Sequence, residues 1–440
     1  MKTIFSLASA PGRSGIAVFR LSGPVAGIVL EQLTRRLLPP ARVATRVKFH
    51  KPGTHDVIDH GLSLWFPGPY SYTGEDVAEL HVHGGRAVCD AITGAVLAMP
   101  DVRLAEPGEF TRRAFEHGKM DLTEAEAVAD LVDAETEAQR RQALRQMEGE
   151  LGTLYEDWRE RLIHSVAHME AWIDFPDEDL PDDVIAAVRR EIKSLGADIG
   201  RHLSDGKRGE RLREGIHIAI IGNPNVGKST LLNILAGRNA AIVSGQEGTT
   251  RDVIEVALDI GGYPVILSDT AGLREGVGEV EQEGVRRALH RADTADLKII
   301  MFEGQSVGDP VVSALVDGNS LVLYNKMDLG PTGSVEASDC FASLSVSFKT
   351  GENVAGMLEA LETLVTARFD TGLNPTLTRA RHRAALDDCL VALARAGAGS
   401  SLELQAEDLR LAVRALGRIT GRVDVEGLLD VIFGDFCIGK

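Results

Sequence analysis

A chain of 440 residues is longer than one ordinary core, and at roughly 150 residues per domain it divides into about three. Apolar residues make up 44% and charged residues 25%, a globular composition that leaves no case for disorder. The formal net charge of -18 excludes a broad nonspecific nucleic-acid surface, because phosphate binding needs clustered lysine and arginine; any RNA contact must be local or shared with a partner.

No run approaches the roughly 18 apolar residues that span a bilayer, so a cytoplasmic protein with no membrane association is expected. The four cysteines, at 89, 340, 389 and 437, contain no C-x-x-C pair, and neither a disulfide framework nor a zinc site is suggested.

Residues 1–118 mix short apolar runs (Ile16 to Phe19, Leu62 to Phe66, Val77 to Leu80) with Gly and Pro, which predicts an α+β domain. His81-Val82-His83 has two imidazoles on one face of a strand, without a companion ligand cluster, and reads as structural or substrate-facing rather than as a metal pair. Helical texture fills 119–214, opening on Thr123-Glu124-Ala125-Glu126, a T-x-x-E capping box. Leu144, Met147, Leu151, Leu154, Trp158, Leu162, Val166 and Met169 recur at steps of three or four and predict one stripe facing a bundle core. Phe175 to Pro181 interrupts it as a turn.

Strand-like and helical runs then alternate over 215–368, the pattern of a parallel α/β sheet, and helix returns over 369–440. The α/β domain is therefore an insertion into a discontinuous helical domain. Arg379, Arg381 and Arg383 open the last helical region as a basic cluster, read as a solvated helix face ahead of an RNA contact. Lys298 is polar where a buried strand is apolar and is placed near the strand entrance.

The run Ile216 to Ile221 leads into Gly222-Asn223-Pro224-Asn225-Val226-Gly227-Lys228-Ser229, a G-x4-G-K-S phosphate loop opening a helix at Thr230. Its backbone N–H groups hold phosphate oxygens, Lys228 reaches the β and γ phosphates, and Ser229 ligates Mg2+. Asp269-Thr270-Ala271-Gly272 follows a strand, so that Asp269 can reach the magnesium shell and Gly272 can sense the γ phosphate. Asn325-Lys326-Met327-Asp328 follows another, and the Asp328 carboxylate can accept from N1 and N2 of guanine, donors that adenine lacks. These residues select GTP. Ser347-Phe348-Lys349 stands where such GTPases carry Ser-Ala-Lys and offers a backbone N–H. Glu247-Gly248-Thr249-Thr250 lies where a switch loop orders around magnesium, with Thr250 as the sensing hydroxyl. Position 273 is Leu273, not the water-orienting glutamine of Ras-like proteins.

These motifs, with Ala10-Pro11-Gly12-Arg13-Ser14-Gly15 and Phe436-Cys437-Ile438-Gly439-Lys440, resemble the MnmE family of tRNA-modification GTPases over essentially the whole chain. The resemblance implies an N-terminal folate-binding and dimerisation domain, a discontinuous helical domain and a Ras-like P-loop G domain. It implies a homodimer working with a flavin-dependent partner, MnmG, which carries the FAD, in a heterotetrameric or larger complex acting on tRNA. The reaction implied places an aminomethyl or carboxymethylaminomethyl group on C5 of the wobble uridine, from 5-formyl- or methylene-tetrahydrofolate and ammonium or glycine. It implies K+ in place of an arginine finger, held by Asn225 with Ser244, Gln246 and Thr249 around it, Gly245 among the nucleotide-binding positions, and water oriented by Glu281, with Glu279 an open alternative. Arg20, Glu79, Lys119 and Lys440 match the folate positions. Cys437 is either a structural or a reactive thiol. A ribosome-assembly GTPase is the rival reading; it accounts for 215–368 and leaves both flanks unexplained.

Overall fold

A computed structural model describes residues 2–174, 183–238, 255–269, 293–304, 310–330, 340–370, 372, 375–399, 401–423, 426–434, 436, 437 and 439. The chain divides into two units: one contains Met1–Ala129, Met147–Arg159 and Leu416–Lys440, the other Asp130–Gln146 and Glu160–Ala415.

The first unit is built on six strands, β1 (Thr3–Leu7), β2 (Ser14–Ser22), β3 (Thr45–His50), β4 (Val57–Phe66), β5 (Val77–Gly84) and β6 (Val102–Leu104), in the order β3-β4-β5-β2-β1-β6. Alternation along the strands divides the side chains between faces. Phe5, Phe19, Leu21 and Leu80 meet helices Ala26–Thr34 and Arg86–Leu97 through Leu30, Leu33, Ile92 and Val96. On the other face Ile4 packs against Phe110 of helix Glu109–Glu116. Arg113 of that helix is 2% exposed and is held by Glu75 and Glu109, each at 2.9 Å, and by the Lys2 carbonyl at 3.1 Å. Multiple charge-assisted bonds offset the cost of taking a guanidinium out of water.

The helix beginning at Leu122 is capped two residues earlier than its sequence suggests. Asp121 Oδ1 accepts from the Glu124 N–H at 2.9 Å, and Glu124 Oε2 accepts from the Asp121 N–H at 2.7 Å. The capping box is thus Asp121 with Glu124, and Thr123 lies inside, its hydroxyl donating to Asp121. The long apolar stripe is corrected too. Helices Glu137–Met147 and Glu150–Asp174 are separate, with Gly149 between them at φ 83°, a left-handed angle that ends a helix. Leu151, Trp158, Leu162 and Met169 are buried as expected, whereas Met147 is exposed. Phe175 to Pro181 lie outside the described residues.

The second unit carries β7 (Ile216–Gly222), β8 (Glu255–Ile260), β9 (Tyr263–Asp269), β10 (Leu297–Glu303), β11 (Ser320–Asn325) and β12 (Ala342–Ser345) in the order β12-β11-β10-β7-β9-β8. All neighbours are parallel except β8 and β9, whose Gly261-Gly262 turn takes φ 61° and 86°. Two consecutive positive φ angles form the hairpin turn that glycine adopts most readily. The strands read as continuous apolar runs because helices cover them; Ile218, Ile220, Leu267, Ile299 and Leu323 are buried with Leu231, Met357 and Leu361. Lys298, second residue of β10, is satisfied at the strand entrance by Asp317 at 2.7 Å and the Leu315 carbonyl at 2.9 Å.

The arginines at the start of the last helical region are not a solvated face. Arg379 donates to Asp130 at 2.7 Å, and Arg383 to Glu210 at 2.9 Å. Arg381, although partly exposed, also has partners.

Candidate functional site

In the second unit the strand register brings the motifs to one edge. Gly222 at the end of β7 lies opposite Met301 of β10, Asn325 at the end of β11 lies opposite Glu303, and Asp269 of β9 lies opposite Ile220. This is the carboxyl edge of a parallel sheet, where open α/β folds bind ligands.

The phosphate loop joins β7 to helix Lys228–Arg238, so its amides face the position that a helix N-terminus makes favourable for anions. Its shape depends on two residues at positive φ, Asn225 at 61° and Gly227 at 108°. A Cβ on Gly227 would collide with the Asn325 amide, and one on Gly222 would come within 2.5 Å of the Met301 carbonyl. Those clashes, beyond flexibility, explain why glycine stands at both places. Lys228 is buried with its ammonium on the carbonyls of Gly222 (2.7 Å) and Asn223 (2.9 Å). Asn225, Ser229 and Thr230 are exposed at the mouth, and the Asn225 carboxamide makes no hydrogen bond among the described residues. An unengaged oxygen there fits a cation ligand, and the Ser229 hydroxyl at the first helical turn fits magnesium.

The base motif is tied to the loop. Asn325 is 4% exposed, donates from Nδ2 to the Val226 carbonyl at 2.8 Å, and accepts the Phe348 N–H at 3.2 Å. Phe348 packs its ring against the sheet core, so its bulk is accommodated, and in this structure its N–H is engaged by Asn325. Lys326 takes φ 69°, which turns the chain into the single helical turn Met327–Leu329, and its ammonium pairs with Glu303 at 2.8 Å. Asp328 is exposed and receives the Ser347 hydroxyl on Oδ1 at 2.8 Å. Ser347 in turn accepts the Thr350 N–H at 3.2 Å, while Lys349 is exposed beside it.

Ser244, Gly245, Gln246, Glu247, Gly248, Thr249, Thr250, Thr270, Ala271, Gly272, Leu273, Glu279, Glu281 and Lys440 lie outside the described residues, as does the Asp269 side chain.

The first unit brings together Arg20 and Glu79, cross-strand partners on β2 and β5. Arg20 donates to Glu79 Oε1 from Nε at 3.1 Å and Nη2 at 2.9 Å. Its guanidinium lies 5.5 Å from the Tyr72 ring centroid and 5.8 Å from that of Phe110. His81 meets Glu79 Oε2 at 3.3 Å. Burial pushes the Tyr72 phenol pKa up, against the lowering effects of its Thr111 hydrogen bond and of Arg20. A cation flanked by aromatic rings beside a carboxylate suits a flat, hydrogen-bonding heterocycle with an anionic tail. Lys119 stands apart from the pair and donates to the Pro69 carbonyl at 3.0 Å. A Cβ on Gly439, which takes φ 107°, would collide with the Leu7 carbonyl at the end of β1, and Cys437 is exposed. His83 turns to Asp59 at 2.9 Å, and no group of three metal-ligating side chains occurs among the described residues. The Asp59 carboxyl sits below its usual range: burial raises it, and bonds from His83 and His60 more than offset that.

The family model described as MnmE helical domain matches residues 122–437, and that described as GTP-binding protein TrmE N-terminus matches 3–119. The chain is 56% identical to the tRNA modification GTPase MnmE of Parvibaculum lavamentivorans, covering 100% of both chains. The chain belongs to the MnmE family of tRNA modification GTPases. The MnmE of Rhodospirillum rubrum is 52% identical over 100% of this chain and 99% of its own. The human mitochondrial 5-taurinomethyluridine-[tRNA] synthase subunit GTPB3 is 48% identical over 100% of this chain and 93% of its own. The span 122–437 encloses the phosphate loop, Asn325, Asp328 and Ser347. Among the described residues no helix is long and apolar enough to cross a membrane.

Sequence reading did not foresee Asn325 as the link between phosphate loop and base motif, nor Tyr72 and Phe110 flanking Arg20. The first is a tertiary contact across 99 residues. The second joins two segments that no local pattern relates; an aromatic beside a strand arginine gives no spacing signal.

Proposed function

We propose that this chain is a homodimeric, cytoplasmic GTPase that, with the flavoprotein MnmG, installs an aminomethyl or carboxymethylaminomethyl group on C5 of the wobble uridine of certain tRNAs. The observation that carries the reading is the linked pair Asn325 and Val226, which joins a guanine-selecting carboxylate to a phosphate loop in a chain matching tRNA-modifying relatives end to end.

GTP would lie along the carboxyl edge of the second sheet. Loop amides and Lys228 hold its phosphates, and Asp328 accepts from the guanine N1 and N2 donors, with the Ser347 hydroxyl fixing its orientation. Ser229, Thr250 and Asp269 are assigned to Mg2+. Asn225, Ser244, Gln246 and Thr249 are assigned to K+, which would neutralise charge developing between β and γ phosphates. Because Leu273 has no hydrogen-bonding group, Glu281 is assigned to orient the attacking water.

Tetrahydrofolate, when bound, supplies the one-carbon unit. Arg20 and Lys440 would pair with its glutamate tail, Glu79 would accept from the pterin, and Lys119 would border the tail. The domains proposed are 1–118, 119–214, 215–368 and 369–440.

The test is mass analysis of wobble nucleosides in tRNA from cells lacking the chain, rescued by wild type or by Asp269→Ala. Deletion is expected to remove the modified uridines, with rescue by wild type alone. Nucleosides unchanged on deletion would overturn the reading.

A further inference from the structure

Helix Asp183–Glu214 turns Val188, Ile192, Leu195, Ile199 and Leu203 inward, and its opposite face carries a different chemistry. At 100° per residue, Arg189, Arg190, Lys193, Arg201, Lys207 and Arg208 fall on the outward side with Ala186, Ala197 and Ser204 between them. All six cations are exposed, and from position 189 onward no carboxylate of the helix falls within that sector. Asp205 and Asp198 flank it, and Asp198 holds Arg201 at 2.5 Å. Arg189, Arg190, Lys193, Lys207 and Arg208 make no side-chain ion pair or hydrogen bond among the described residues.

In a chain of net charge -18, five cations without partners on one helix face are a local exception to the overall field. The contrast with Arg379 and Arg383, both committed to carboxylates, is direct. From position 190 to 208 the stripe runs about 27 Å at 1.5 Å per residue, long enough to meet several consecutive phosphates. The small residues between the cations leave room for a backbone to approach. The face suits neither a lipid surface, since it has no apolar anchor, nor a symmetric contact with its own copy, which would set like charges together.

We infer that this helix face is a docking surface for the sugar–phosphate backbone of tRNA, an assignment that rests on the tRNA reading above. The same helix passes through Gly215, at φ 110°, into β7 and so to the phosphate loop. RNA held here therefore bears on the strand that ends at the nucleotide.

The test uses the full chain with Arg190, Lys193, Lys207 and Arg208 all changed to Ala, beside a control with Arg190→Lys and Arg208→Lys. Binding of a tRNA transcript is measured from low to moderate salt. Each phosphate contact contributes roughly 0.9 to the slope of log affinity against log salt, so the quadruple variant should lose about three and a half units of slope and at least tenfold in low-salt affinity. The lysine control should retain both, and basal GTP hydrolysis should stay at the wild-type rate in all. Wild-type slope and affinity in the quadruple variant overturn the inference, even if the variant loses association with an acidic protein. Wobble-nucleoside analysis runs in parallel. Unchanged nucleosides on deletion defeat the modification reading. Loss on deletion with full rescue and undiminished tRNA binding by the quadruple variant defeats the helix inference alone.

Discussion

Asn325 reaches across 99 residues to donate its side-chain amide to the Val226 carbonyl at 2.8 Å, so the residue that opens the base motif also braces the phosphate loop. Base and phosphate recognition are therefore mechanically one site. Asn325→Ala removes this bond and the acceptor for the Phe348 N–H in a buried setting, and should cost about 1–3 kcal/mol of stability. GTP affinity should fall with it. Chemical denaturation and nucleotide titration together check this; retained stability with intact GTP affinity would show the brace to be idle.

Base selection makes a separate prediction. Asp328 Oδ1 accepts the Ser347 hydroxyl and keeps a second lone pair, so both carboxylate oxygens can accept from the base. Asp328→Asn substitutes a donor for an acceptor opposite guanine's own donors, and should weaken GTP by on the order of 2 kcal/mol or more, through unpaired polar groups. Affinity for inorganic triphosphate should remain. Ser347→Ala should weaken GTP by less, about 1 kcal/mol, because it loosens the carboxylate without removing it. Competition binding with GTP, ATP and triphosphate distinguishes these outcomes.

Much of this was legible because the relevant signals are local. The strand, loop and helix around Gly222 to Ser229 follow from apolar runs, glycines and a helix start within about twenty residues. The strand ending at Asn325 was equally plain. What escaped were contacts between distant segments and choices between adjacent candidates. Thr123 and Asp121 both offer a capping oxygen, and only the backbone geometry selects Asp121. The stripe from Leu144 to Met169 has helical spacing throughout, yet Gly149 at a left-handed angle divides it, a break that glycine permits without announcing. Arg379 and Arg383 look like a solvent-facing cluster until Asp130 and Glu210 arrive from far along the chain.

The Arg20 and Glu79 pair gives a prediction for the first unit. Glu79 holds Arg20 by two bonds and His81 by a third contact, so Glu79→Gln leaves the side chain in place but removes its charge. Binding of 5-formyltetrahydrofolate should weaken at least tenfold, which corresponds to about 1.4 kcal/mol. Stability should change little, since a partly exposed pair contributes about 0–1 kcal/mol. Tyr72→Phe, which keeps the ring beside Arg20, should bind as wild type does. Calorimetric titration reads both, and full affinity in Glu79→Gln would remove this pair from the folate assignment.

His202 makes stability depend on pH. It lies on helix Asp183–Glu214, and burial, aided by Arg383 and opposed by Asp205, lowers its pKa from 6.5 to about 4. The unfolded chain therefore binds a proton that the folded chain refuses between those two values. Stability from the neutral imidazole is fully present above pH 6.5 and is lost as pH falls toward 4, at most about 3 kcal/mol in all. His202→Gln cannot take up that proton. Its urea midpoint should fall less than wild type's between pH 7 and pH 4.5, while both share whatever the carboxylates contribute, such as Asp317, lowered despite its burial by Lys298. The difference between the two proteins thus isolates the imidazole. Parallel midpoints across that range would mean that His202 accepts its proton in the folded chain.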